Sequence, residues 1–519
     1  MIRLKYFITA TILATLLSMP VQAQQVIPDQ FDEWVQQGME QWQIPGMAIA
    51  VVKDGEVVLA KGYGIQKLGE ADLVNEHSQF GIASVSKHMT ASSLAVLVDE
   101  GVIAWDDPVT KHIPWFKLSD PWATENVTIR DLLTHQVGVG RMLGNRLQFM
   151  TNRSREELLY RMRYHDFEQP FRSSYVYSNV MYTLAGEIVK AVTDLTWDEF
   201  MHERFFTPMG MSRTNTSITQ LHSDENAAWP HQFIRDEVVT IPRRNWDNAA
   251  PAGGINSTAA DMAEWMKLQL DDAGTHHETE YISSQTIRAL QTPQVSLGTN
   301  SVDAPQRSYG FGFTITDYNG TRTLTHGGAT DGMNTSFLLA PEHNFGIIVM
   351  TNVFNSFREA VVYTVLDHML GIDGNDWNRI YFDGYQNRFE AVSLIREEFE
   401  STRKTGTSPT HSLDEYSGSY HHDLYDNADL ILKDGKLHIT LWDDEELSGE
   451  LEHWHHNTFR IHWENPGQRE DFVKFDMNLE GEINEMTLRF TLRPMVLQVG
   501  SYPTNYYRDV VYTKMVEEN

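Results

Sequence analysis

The dipeptide Asp54-Gly55 constrains this fold more than any other stretch. It sits between Met47-Ala-Ile-Ala-Val-Val-Lys53 and Glu56-Val-Val-Leu-Ala-Lys61. Both flanks are rich in β-branched and apolar residues, and Asp-Gly supplies the positive backbone angles of a tight hairpin. Residues 43–64 therefore predict two antiparallel strands. Asp32–Gln43, just before them, has apolar residues at helical spacing. After them, Met89, Ala91, Leu94, Ala95, Leu97 and Val98 outline a second helix, with Gly101 where a C-cap belongs. Helix, hairpin and helix together predict an α+β fold, an antiparallel sheet with helices packed on it.

Further elements extend that reading. Thr128 is a helix cap with Asp131 three residues on. Tyr177–Thr193, Trp197–Phe206 and Ala259–Leu270 have helical patterning, and Pro208-Met-Gly-Met-Ser212 reads as a turn. Pro251-Ala-Gly-Gly-Ile-Asn-Ser-Thr258 reads as a Gly-rich loop. Ser308–Phe313, Thr321–Thr325, Ser336–Ala340 and Gly346–Asn352 read as strands that complete the sheet. Beyond about Leu370 the texture changes. Asp383–Lys404 is charged and helical, and Thr405–Pro409 resembles a linker. Then come short strands such as Leu430–Lys433, Lys436–Leu441, Thr458–Trp463, Asp471–Phe475 and Glu485–Phe490. They predict a separate small all-β domain, a barrel or a sandwich.

The 519 residues include no cysteine. This excludes disulfides, Cys-ligated metals and a lipidated cysteine anchor, so packing alone must hold the fold. The formal charge is −30, which argues against nucleic acid and anionic membrane as partners. Arg3 and Lys5, the apolar run Tyr6–Met19 and Val21-Gln22-Ala23 form a signal peptide over residues 1–23. The expectation is an exported protein, periplasmic or secreted, with no stable membrane anchor after signal removal.

Chemistry concentrates on Ser84-Val85-Ser86-Lys87. Residues three apart share a helix face, so Lys87 Nζ can reach Ser84 Oγ. A serine hydroxyl needs such a neighbour to take its proton, and burial favours the neutral lysine that can do so. The plain alternative is Ser84 as an N-cap with Lys87 solvated. Tyr177-Ser178-Asn179 opens a helix. Its phenol could relay a proton, and Asn179 could hold Lys87 and a substrate amide. His326-Gly327-Gly328-Ala329 is expected just after the strand Thr321–Thr325, where the glycines let substrate lie against the strand edge. The N–H groups of Ala329 and Ser84 would then form an oxyanion hole.

Taken together, Ser84-x-x-Lys87, Tyr177-x-Asn179 and His326-x-Gly328 resemble, in order and rough spacing, the three motifs of class C β-lactamases and related serine hydrolases. That superfamily includes penicillin-binding carboxypeptidases, D-aminopeptidases and β-lactamase-like esterases. Ile129-Arg-Asp-Leu-Leu-Thr-His135 through Gly138, Pro208-Met-Gly-Met211, Pro251-Ala-Gly-Gly254 and Tyr309-Gly-Phe-Gly312 add to the likeness, which spans about Pro28 to Leu370. Leu413-x-x-Tyr416-x-Gly418-x-Tyr420 opens a segment resembling the lipocalin-like domain of some related peptidases. The implied organisation is a signal peptide (1–23), a β-lactamase-related serine hydrolase domain with an all-helical subdomain (24–375), a helical linker (376–411) and a lipocalin-like β-barrel (412–519).

The resemblance implies acyl transfer to water through a Ser84 acyl-enzyme, with Lys87 and Tyr177 sharing acid–base work. Asn179, His326, Gly328 and Ala329 would bind substrate or the oxyanion, and no cofactor or metal is called for. The expected substrate is a small peptide, amide or ester. One departure matters: class C enzymes carry Lys-Thr-Gly where this chain has His326-Gly-Gly. A histidine, mostly neutral at pH 7, is a poor clamp for a substrate carboxylate. Weak or absent β-lactamase activity is therefore expected. The alternatives are a carboxylic ester hydrolase and a penicillin- or cell-wall-peptide-binding protein with little turnover. The C-terminal domain is a candidate surface for homo-oligomerisation. His453-Trp-His-His456 reads as a solvated edge strand rather than a metal site.

Overall fold

A computed structural model describes residues 26–140, 152–234, 237–299, 305–442, 444–465, 471–491 and 507–515. The signal-peptide segment, residues 1–23, lies outside them. The sheet has eight strands: β1 Gly46–Lys53, β2 Glu56–Gly64, β3 Val295–Gly298, β4 Arg307–Tyr309, β5 Thr314–Tyr318, β6 Thr321–Ala329, β7 Asn334–Ala340 and β8 Phe345–Thr351. Their spatial order is β2-β1-β8-β7-β6-β5-β4-β3, antiparallel throughout. The hairpin turns at Asp54 and Gly55 with φ of 53° and 79°, and Lys53 pairs Glu56. Positive φ at both central residues matches the twist of the flanking strands.

The strand β1 is buried on both faces, which explains its unbroken apolar run. Successive side chains alternate between two cores. Met47, Ile49 and Val51 join Phe31, Val35 and Met39 of the helix α1 (Phe31–Gln41), with Phe357, Val361 and Val365 of a C-terminal helix. Ala48, Ala50 and Val52 face the other core. Their small side chains leave room for Met262, Trp265 and Met266. The helix α2 (Ser86–Asp99) lies in this second core and is buried from Ser86 to Leu97. The helices α3 (Asn179–Thr193) and α4 (Ala259–Leu270) share that core. Thr128 and Asp131 form the expected capping box, each side chain bonded to the other's backbone N–H.

Three local expectations need correction. The Gly-rich stretch at Pro251 is a short helix, Ala250–Gly253, followed by a two-residue ladder at Asn256–Ser257. Proline fits the first turn of a helix, where its missing N–H is no loss. The strand predicted over Ser308–Phe313 breaks after Tyr309. Gly312 has φ of +84°, and a Cβ there would stand 2.6 Å from the His88 backbone. That turn presses on α2 and cannot remain extended. Finally, β6 does not stop at Thr325. Pairing continues through His326↔Phe337, Gly327↔Ser336, Gly328↔Thr335 and Ala329↔Asn334.

The helices α5 (Phe357–Leu370) and α6 (Trp377–Ser401) follow the sheet. The first part of α6 packs on the core shared by α1, β1 and α5, through Trp377, Tyr381, Phe382 and Tyr385. Its last turns reach the second unit, where Phe399 stacks on Trp454 and Glu400 accepts from Arg460 at 2.6 Å. That unit is a closed antiparallel barrel of eight strands: β9 Gly418–His422, β10 Asp426–Lys433, β11 Lys436–Leu441, β12 Asp444–His455, β13 Thr458–Trp463, β14 Asp471–Met477, β15 Ile483–Thr491 and β16 Tyr507–Lys514. It closes where β9 meets β16, at Tyr420↔Lys514 and His421↔Thr513. Closure leaves no sheet edge, so the stretch at His453 is not the edge strand expected. There β12 bulges between His453 and His455, and His453 Nε2 lies 2.9 Å from the His456 carbonyl. Aromatic side chains (Tyr416, Tyr420, Phe459 and Phe475) fill the barrel centre.

Gly312→Ala is expected to lower stability by about 2 kcal/mol, combining positive φ with a backbone clash. A denaturant midpoint shift at constant m-value checks it.

Candidate active site

Ser84 occupies a single 3₁₀ turn, Ala83–Val85, immediately before α2. Ala83 takes a left-handed φ of 51°. The turn is pinned on three sides. Ile82 N donates to Ile255 O at 2.9 Å. Ser86 Oγ donates to Ala83 O at 2.7 Å. Gly328 of β6 lies against it, and a Cβ on Gly328 would come 2.1 Å from Ile82 O. Only glycine allows that approach, so the Gly328 position expected near substrate is first a packing requirement for the serine turn. Ser84 itself is half-buried.

Lys87 is fully buried one turn into the element. Its Nζ lies 3.0 Å from Ser84 Oγ, 2.6 Å from Asn179 Oδ1 and 2.6 Å from Ala252 O. As an ammonium it fills all three directions with N–H donors. As a neutral amine it donates to Asn179 and Ala252, which can only accept, and turns its lone pair to the serine hydroxyl. The rings of Tyr177 and Tyr182 lie 4.7 and 5.4 Å from Nζ. They give the cation a favourable π face when it forms.

Tyr177 stands just before α3, with Asn179 as that helix's first residue. Its hydroxyl donates to Ser84 Oγ at 2.8 Å. The serine oxygen is thus within hydrogen-bond reach of both an amine and a phenol. His135, buried with φ of 59°, backs Tyr177 at a ring separation of 4.4 Å. His135 Nδ1 accepts from Ser178 N at 3.1 Å and its carbonyl from Val176 N at 2.8 Å, fixing the chain on either side of the tyrosine.

His326 meets a different partner. Its Nε2 lies 3.1 Å from Tyr309 Oη, and its Nδ1 lies 2.8 Å from Gly327 O. In the neutral ring Nδ1 carries the proton, and Nε2 accepts from the phenol. Burial holds the Tyr309 hydroxyl well above its ordinary pKa, so it stays a donor. Burial does the same to Tyr182, which donates to Leu133 O at 2.7 Å. On α2 itself, burial first and His326 second push His88 well below the ordinary histidine range. His88 Nδ1 accepts from Trp265 Nε1 at 3.0 Å. Ala329, next to Gly328, ends β6 beside the serine turn.

The fold thus gathers Ser84, Lys87, Tyr177 and Asn179 into one hydrogen-bonded cluster. Gly328 and Ala329 border it, and His326 is tied to Tyr309. The Ala252 carbonyl went unpredicted, since a backbone oxygen leaves no trace in residue identity. His135 and Tyr309 stood in recognised motifs, but their contacts could not be read from spacing.

The Beta-lactamase family model matches residues 31–369, and a domain of unknown function (DUF3471) matches residues 402–499. The chain is 27% identical over 435 residues to "Unguisins hydrolase ungD'" of Aspergillus campestris, covering 80% of this chain and 78% of that protein. It is 26% identical over 376 residues to "Protein flp" of Staphylococcus aureus (strain NCTC 8325 / PS 47), covering 70% and 71%. Among solved structures it resembles the octameric penicillin-binding protein homologue from Pyrococcus abyssi. That likeness has a TM-score of 0.59 at 19% identity, over 93% of this chain and 99% of the other. SurE with D-Leu aligns at a TM-score of 0.54 and 16% identity, over 88% and 96%. At such identities the two structures speak for the fold alone. The family match covers most of the chain and encloses the serine cluster, and on that ground the chain belongs to the β-lactamase family.

Proposed function

We propose that this protein is an exported serine hydrolase that cleaves an amide or peptide bond through an acyl-enzyme on Ser84. The observation that carries this reading is the serine oxygen standing 3.0 Å from an amine and 2.8 Å from a phenol. Neutral Lys87 accepts the Ser84 proton, directly or through Tyr177, as Oγ forms a bond to the substrate carbonyl carbon. The N–H groups of Ser84 and Ala329 receive the oxyanion. The carbon–nitrogen bond breaks as Tyr177 protonates the leaving amine. Water then attacks the ester, gives up a proton to the same pair, and Ser84 regains its hydrogen. Asn179 steadies Lys87 and offers its amide to the substrate.

His326 favours amides without an essential carboxylate at the third-motif position. Both its ring nitrogens already have partners, Tyr309 Oη and Gly327 O. The hydrolase named among the relatives supports the reaction class. The leader-like residues 1–23 support export.

Ser84→Ala is expected to lower turnover of an amino-acid amide by at least about three decades. It should also abolish fluorophosphonate labelling, mapped by mass spectrometry to that peptide. Full turnover by this variant would remove the assignment. Tyr177→Phe is expected to reduce kcat about 10²- to 10⁴-fold with KM little changed, in steady-state kinetics on the same substrate. If D- and L-amino-acid amides are both inert while p-nitrophenyl esters turn over, the reaction is ester hydrolysis instead.

A further inference from the structure

Away from the serine cluster, α4 meets a two-residue hairpin, Thr275–His276 paired with Thr279–Glu280. Its turn residues His277 and Glu278 have φ of 46° and 64°, so the chain reverses tightly there. The reversal brings two adjacent histidines over Glu264 of α4. His276 Nε2 lies 2.8 Å from Glu264 Oε2, and His277 Nε2 lies 3.8 Å from the same oxygen. One ligand atom from each of the three residues falls within 4.8 Å of the others.

We infer that Glu264, His276 and His277 form a binding site for a transition-metal dication of the Zn²⁺ type. A tetrahedral ion with bonds of about 2.1 Å separates its ligand atoms by about 3.4 Å, and the observed separations bracket that value. Two imidazoles and one carboxylate suit Zn²⁺ and disfavour Mg²⁺, which prefers oxygen alone. The residues differ in ways that fit a site. His276 is buried, its Nε2 faces Glu264 Oε2, and its Nδ1 has no hydrogen-bond partner among the described residues. His277 is exposed and offers an open approach. Lys267 occupies the other carboxylate oxygen, Oε1, at 3.0 Å and leaves Oε2 for the metal. Its positive charge opposes the dication and limits affinity, while its hydrogen bond fixes the carboxylate. None of the three ligands belongs to the serine cluster. A bound ion would tie the hairpin to α4, the helix whose Trp265 supports His88.

The test uses the full chain, stripped with a chelator and titrated with Zn²⁺ by calorimetry and thermal unfolding. One equivalent is expected to bind and to raise Tm by a few degrees, whereas Mg²⁺ does neither. His277→Ala lies on the exposed turn and leaves the fold intact, and it should weaken Zn²⁺ binding at least tenfold. Glu264→Gln should do the same while keeping its shape. Hydrolytic turnover of the two stripped variants should match the parent. No Zn²⁺ binding by the parent, or binding unchanged in both variants, would overturn the site.

Discussion

Everything around the serine depends on one buried amine. Lys87 has no access to water, so its N–H groups must find acceptors inside the protein. Three separate segments supply them: the Ser84 turn, the start of α3 and the short helix at Ala252. Leaving any of these out would orphan a donor in low dielectric, at about 1–3 kcal/mol or more for a charged group. The demand is therefore structural as well as chemical. The same contacts that satisfy the lysine also hold the serine, the asparagine and the tyrosine at mutual reach.

The sheet supplies the rigidity this arrangement needs. Its central strands are buried on both faces, which an antiparallel sheet does not require. One layer beneath it holds α1 and α5; the other holds α2, α3 and α4. The serine turn is clamped between the second layer and the end of β6. Close backbone approach at Gly328 and Gly312 replaces side-chain packing at the two places where space is shortest. Glycine in these positions reflects the distance between backbones rather than local flexibility.

Much of this was legible in the sequence because its signals are local. The Asp54-Gly55 turn, the Thr128 capping box and the three-residue step from Ser84 to Lys87 depend only on neighbours along the chain. The run Ala259–Leu270 announced α4 with its bounds intact. Other features depend on partners far away and were misread or missed. The strand β6 continues through two glycines because β7 offers a ladder, which composition cannot reveal. The barrel's closing strand, Tyr507–Lys514, and its long strand, Asp444–His455, carry too many polar residues to stand out. The start of α6 at Trp377 was set too late: Trp377, Tyr381 and Tyr385 recur every fourth residue and pack on α5 and beside Trp42. At the site, the Ala252 carbonyl and the stacking of His135 on Tyr177 belong to tertiary structure alone.

The 25 residues of α6 form one uninterrupted rod, about 37 Å long. Its two ends pack against different units, the first beside Trp42 and the last beside Trp454. A rod anchored at both ends transmits orientation as well as distance. The barrel therefore does not hang from a tether; α6 and the ion pairs of Arg153 and Arg161 with Asp426 of β10 set its bearing together. Adding or removing a single residue within α6 would swing the barrel by about 100° around the helix axis and shift it by about 1.5 Å. The helix length is thus a gear setting between the two units. Recombination that exchanged one barrel for another would have to preserve that phase, so the last turns of α6 and the barrel form the natural unit of exchange.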